Sequence, residues 1–79
     1  MLTLINIKKE KNTIAAEYYN EDEEDKLYYI KVDLTSEKTI VFKKPQSSIY
    51  GTGESHARRA LLNLAALDSV PKKHKVIWY

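Results

Sequence analysis

The 79-residue chain has no cysteine, one tryptophan, one methionine, two glycines and two prolines, and each scarcity closes off a class of protein. Without cysteine there is no disulfide framework, no thiolate zinc site and no cysteine nucleophile. Domains of this size that work outside the cell usually carry disulfides, so the expected home is the cytoplasm. No apolar run approaches the roughly 20 residues that a helix needs to cross a bilayer. The apolar start at 2–7 is too short for the core of a signal segment, and Lys8, Lys9 and Lys11 follow it rather than precede it. No membrane partner is expected. A chain this short forms a single domain over 1–79 and buries only about 60–65 % of the surface its unfolded form exposes, enough for one modest core and too little for a large cofactor fold.

Charge of one sign is also scarce, since 13 Lys and Arg stand against 11 Asp and Glu for a net charge of +2. That balance conceals a division. Five acids run consecutively at 21–25 (Glu-Asp-Glu-Glu-Asp), and without them the rest of the chain is +7. The run has neither the glycine nor the alternating ligand spacing of a calcium loop, so it reads as a solvated turn.

What the chain does have is two-residue periodicity in its first half. Residues 2–8 and 13–19 are apolar or β-branched segments joined by Lys9-Glu10-Lys11-Asn12, a hairpin whose Asn suits a tight reversal. Residues 27–34 alternate more regularly, and 39–43 make a short fourth strand that ends before Pro45, which cannot donate to a ladder. Segment 44–53 collects one proline and both glycines into the one long connection. A helix follows, capped by Thr52 or Ser55, with Glu54 near its start and Val70-Pro71 beyond its end. Ala57, Ala60, Leu61, Leu64, Ala65 and Leu67 form its apolar arc over about fifteen residues. A last strand is expected over 75–79, beside the first strand. The expected fold is α+β in two layers, an antiparallel meander of four to five strands with one helix on one face, in the order β-β-β-β-α-β.

Nothing in the sequence assembles a nucleophile with its base, a carboxylate pair or a metal-ligand cluster. His56 and His74 have no zinc spacing. The reading is non-enzymatic, with no cofactor, metal or small-molecule substrate. The element richest in chemistry is Gly51-Thr52-Gly53-Glu54-Ser55-His56-Ala57-Arg58-Arg59, where a helix start and two arginines could hold an anion. The same residues also serve as an ordinary turn and cap. Strands followed by Gly51-x-Gly53-x-Ser55 and a basic, alanine-rich helix to Leu67 resemble the second half of double-stranded-RNA-binding domains. The resemblance covers about half the chain; His56 and Ala57 stand where that family has paired lysines. It implies contacts from the helix start to a phosphate backbone.

Sorting the strands by face yields a second candidate. If Tyr28, Ile30, Val32 and Leu34 face the helix together with Ile14, Ala16, Tyr18, Ile40 and Phe42, then Tyr19, Leu27, Tyr29 and Val41 face outward, among Glu17, Lys31, Asp33 and Lys43. One pair from the C-terminal strand, Val76 with Trp78 or Ile77 with Tyr79, joins them. A sheet covered on one side should be polar on the other, and a half-apolar outer face suggests an interface. The primary expectation is a binding module that self-associates, as a homodimer, or takes a protein partner through this face. The alternative is a nucleic-acid binder using Ser55, His56, Arg58, Arg59, Lys43, Lys44, Lys72, Lys73 and Lys75, with the acidic run as a counter-patch.

Overall fold

A computed structural model describes residues 1–21, 23–45 and 53–77. The elements are β1 (Leu2–Lys9), β2 (Thr13–Asn20), β3 (Tyr28–Asp33), β4 (Thr39–Lys43), α1 (Glu54–Ala65) and β5 (Lys73–Val76). They form one antiparallel sheet in the order β4-β3-β2-β1-β5, with α1 packed on one face. The α+β meander and the place of the last strand beside β1 are as the sequence predicts. Among the described residues, no helix is long and apolar enough to cross a membrane.

The core is the face on which the two-residue alternation of three strands converges. Leu4, Ile14, Tyr18, Ile30 and Val32 are fully buried with Ala57 and Leu61 of the helix. Tyr18 and Tyr28 stack with ring centroids 4.8 Å apart and planes 8° from parallel, and Phe42 packs beside both rings. Burial, followed by the neighbouring Tyr28 and Glu54, pushes the Tyr18 phenol well above its ordinary pKa. It stays neutral at any physiological pH.

Two bulges adjust which residues reach this core. In β1 the register shifts between Ile5 and Lys8, so Asn6 and Ile7 together oppose Ala16. Strict alternation from Leu2 and Leu4 would bury Asn6 and expose Ile7. Instead Asn6 adopts φ 52°, a left-handed conformation that Asn tolerates better than most residues, and Ile7 turns inward to 7 % exposure. The Asn6 amide then donates to Glu17 Oε1 at 2.8 Å. The second bulge corrects an expectation. In β4, Lys31 pairs with Val41 but Val32 pairs with Thr39, which leaves Ile40 as the extra residue. Ile40, predicted to lie in the core, is 53 % exposed. Thr39 takes its inward place, and its hydroxyl donates to Glu54 Oε1 of the helix at 2.5 Å.

The helix starts and stops differently from its sequence reading. Its N-cap is Gly53, with φ 93° and no side-chain cap; Ser55 is the second helical residue, and Thr52 lies outside the described residues. Gly53 is needed twice over. Its φ favours glycine, and a Cβ there would come within 2.9 Å of Leu2 Cδ2 and 3.4 Å of Tyr18 Cε1. The helix runs twelve residues and ends at Ala65, with no basic residue in its last turn. Leu67, expected on the apolar arc, lies beyond the end at 49 % exposure. Asp68 and Ser69 follow, residue types whose side chains compete for backbone hydrogen bonds and favour turns over helix. Because the helix ends early, the last strand starts early, at Lys73 instead of residue 75. Trp78 and Tyr79 lie outside the described residues.

Candidate binding face of the sheet

The outer face can be read row by row from the strand register. One row is Lys75, Thr3 and Tyr19; the next crosses all five strands as Lys73, Ile5, Glu17, Tyr29 and Lys43. A third is Lys8, Ala15, Lys31 and Val41, and a fourth pairs Thr13 with Asp33. At about 4.8 Å between strands the five-residue row is roughly 19 Å long. A lysine stands at each end of it and a tyrosine near its middle.

Of the predicted face residues, Tyr19, Tyr29 and Val41 lie here, each half-buried. Leu27 falls one residue before β3, outside the ladder, and is 42 % exposed. The Lys43 Nζ sits 5.9 Å from the centre of the Tyr29 ring, within range of a cation–π contact worth about 0.5–1 kcal/mol at an exposed site. Glu17, beside Tyr29, is tied to the β1 bulge through Asn6. Thr3 is 9 % exposed beneath its neighbours Tyr19 and Lys75.

Sequence reasoning placed Glu17, Lys31, Asp33 and Lys43 on this face but missed Lys8, Lys73 and Lys75. Leu4 is buried and pairs with His74, so the alternation of β5 puts Lys73 and Lys75 outward. With Lys8, Lys31 and Lys43 they make five lysines against Glu17 and Asp33. The signal was present in the alternation Lys73-His74-Lys75-Val76, which begins two residues after Pro71, but it needed the helix to end at Ala65. At the Tyr19 end, Lys73 and Lys75 share a hollow of about 340 Å³ with Glu21 and Glu24 of the acidic run. From Glu23 onward that run lies in a turn, as expected: Lys26 bonds back to Glu23 through the backbone at 2.9 Å and through its ammonium at 3.4 Å.

The proposed nucleic-acid residues do not form one cluster. Ser55, His56, Arg58 and Arg59 lie on the helix layer, where they border a hollow with Ser36 and Glu37 of the β3–β4 turn. Lys43 and Lys73 lie on the sheet's opposite face, and Lys44 and Lys72 are exposed in the flanking segments. Lys72 also has a structural part, since its carbonyl accepts from the Ile7 amide at 3.2 Å. Among the described residues no group of three or more His, Asp or Glu is placed to hold a metal ion.

The face therefore presents aromatic rings, aliphatic side chains and ammonium groups in regular rows, a chemistry suited to binding. No family model, curated protein or solved structure matches the chain. The structure also limits the resemblance to double-stranded-RNA-binding domains: α1 is followed by β5, which crosses to the far edge of the sheet, and the chain opens with a hairpin.

Proposed function

We propose that the chain is a non-catalytic binding module that takes an acidic protein partner on the outer face of its sheet. The observation that carries this reading is the five-strand row with Tyr29 and Ile5 between Lys73 and Lys43. Aliphatic and aromatic groups supply contact area, and the lysines select for negative charge and speed encounter. Self-association through the same face is the weaker form of the idea, because a two-fold interface would set lysine rows against lysine rows. A cysteine-free chain fits a reducing compartment, so the proposed site of action is the cytoplasm.

The test is a photo-crosslinking residue at position 29, with a second at Thr35, exposed in the β3–β4 turn, as the control. The reading expects crosslinks to a defined acidic protein from position 29 only, lost on Lys31→Glu or Lys43→Glu. Equal yields from the two positions refute it.

One observation favours a second reading. Tyr19 and Tyr29 are partly exposed on a sheet rimmed by lysines, an arrangement on which the bases of a single strand can stack. In that case affinity for a short RNA falls linearly on a logarithmic salt axis, with a slope near −0.7 per phosphate contacted. Loss of that slope in Lys43→Gln/Lys73→Gln identifies the sheet face as the site.

A further inference from the structure

β5 is an edge strand. Among the described residues it pairs with β1 alone, so along its other side every second residue directs its backbone N–H and C=O at no neighbouring strand. The opposite edge of the sheet, β4, is interrupted by the bulge at Ile40, a device that turns an edge away from further pairing. The β5 edge has no such interruption, since Lys73 to Val76 pair with β1 in unbroken register. An open groove of about 590 Å³ follows it, lined in succession by His74, Lys75, Val76 and Ile77. Successive residues of a strand point to opposite faces. A hollow that meets four in a row is therefore bounded by the strand's edge and not by one of its faces.

We propose that this edge binds an extended segment of a partner protein, added as a sixth strand, in which acidic residues alternate with apolar ones. The two faces of β5 select that pattern. Lys73 and Lys75, paired with Ile5 and Thr3, point to the outer face, whereas His74 and Val76, paired with the buried Leu4 and Leu2, point to the helix side. A strand laid along the edge sends its own residues to the two faces in turn, each about 5 Å from the β5 residue opposite. Its acidic residues then meet the two ammonium groups, and the apolar residues between them cover Leu67, which lines the groove at 49 % exposure. A second copy of this chain is a poor occupant, because edge against edge would set Lys73 and Lys75 against the same lysines. A helix laid in the groove leaves the open backbone groups unpaired. Main-chain bonds give affinity and the alternation gives specificity, as in other cases of strand addition to a sheet edge. Lys73 also ends the row that carries Tyr29, but the proposal does not rest on the reading of that face, for Tyr29 is three strands, about 14 Å, from β5.

The test uses the full chain and labelled peptides of equal length, followed by fluorescence anisotropy. One alternates glutamate with valine, one has the same residues in two blocks, and two are alternating peptides N-methylated either at every glutamate or at every valine. The alternating peptide should bind at least about fivefold tighter than the block peptide. Methylation in one of the two registers, the one whose N–H groups face β5, should weaken it by about tenfold or more. Lys73→Glu/Lys75→Glu should also weaken it by about tenfold or more, while Tyr29→Glu and Lys43→Glu leave it unchanged. Lys73 and Lys75 are exposed, so the variant should keep the wild-type circular dichroism and melting profile. Amides of β5 should gain protection from hydrogen exchange when the alternating peptide binds. Equal affinity for the alternating and block peptides, no loss from methylation in either register, or new protection confined to β4 would overturn the proposal. Each of these results leaves crosslinking from position 29 untouched, so the sheet-face reading stands or falls separately.

Discussion

Gly53 gives the most demanding test of how the helix is joined to the sheet. Gly53→Ala should destabilise the domain by two separable effects. At φ 93° an L-residue loses about 1–2 kcal/mol relative to glycine. The added Cβ would also stand 2.9 Å from Leu2 Cδ2 and 3.4 Å from Tyr18 Cε1, and Leu2 and Tyr18 are fully buried. Neither can withdraw into solvent. Over-packing of this kind costs about 1–3 kcal/mol, so the sum is roughly 2–5 kcal/mol. A domain of this length has a total stability of about 4–12 kcal/mol, and the loss corresponds to a fall in Tm on the order of 10–40 °C. Urea denaturation followed by circular dichroism measures it, and the slope should stay constant if the change acts on stability alone. Gly53→Asn separates the two effects, because Asn tolerates the left-handed region but carries the same Cβ. It should recover part of the loss and not all of it. A loss below about 0.5 kcal/mol for Gly53→Ala, within the range of an ordinary surface change, would refute both the strained cap and the contact with Leu2.

The remaining predictions address the bulges and the acidic end of β3. Ile40→Thr should be nearly neutral, within about 0.5 kcal/mol, whereas Ile30→Ala in the same sheet should cost about 2–5 kcal/mol; similar costs for the two in urea melts would place Ile40 back in the core. Asn6→Ala should cost about 1–2 kcal/mol through its positive φ, and Asn6→Gly clearly less, while equal losses would assign the effect to the bond with Glu17. The Asp33 carboxyl is held below the usual Asp range, chiefly by the Ser36 hydroxyl and the Ser36 amide, the latter at 3.0 Å. Because its folded pKa is depressed, the turn's stabilisation is complete above the ordinary Asp pKa of about 3.9 and is lost as pH falls through the lower folded value. NMR titration should show the Asp33 carboxyl and the Ser36 amide moving together below that range, and an ordinary Asp33 pKa would contradict the hydrogen-bonded turn.

Where each residue carried its own signal, the fold was legible in the sequence. The alternation Tyr28, Ile30, Val32 faces the core, and Pro45 follows the end of β4, because burial on one face and the missing amide of proline act locally. Positions decided by neighbours were not legible. Ile40 follows the alternating pattern, yet the bulge gives its inward place to Thr39, whose hydroxyl finds Glu54 across the layer. Leu67 continues the helical arc by spacing, but Asp68 and Ser69 favour a turn after Ala65. The candidate site suffered from the same boundary. Two residues of error at the start of β5 decide whether Lys73 is loop or strand, and with it whether the lysines and the tyrosines are separate surfaces or one.

That boundary also decides which binding hypotheses are coherent. A combined site of Arg58, Arg59, His56 and the lysines requires all of them on one side of the molecule. Here the sheet and the packed helix separate them by a layer about 10 Å thick. That is more than the Debye length of about 8 Å at physiological salt, so charges exposed on the two faces act as independent fields. A rigid duplex cannot lie on both. The arginines and the outward lysines therefore have to be explained separately, each by what surrounds it. Around the lysines are Tyr19, Tyr29, Ile5 and Val41 in register; around Arg59 are Leu64, Leu67 and Ile77. Both settings pair positive charge with aliphatic or aromatic surface, and in both the apolar part separates a specific partner from a mere polyanion. A polyanion binds through the cations alone, so it should lose affinity with salt in the same way whether Tyr29 or Leu67 is present or replaced. A specific partner should lose affinity when either apolar residue is replaced on its own face, at constant salt, and keep it when the replacement is on the other.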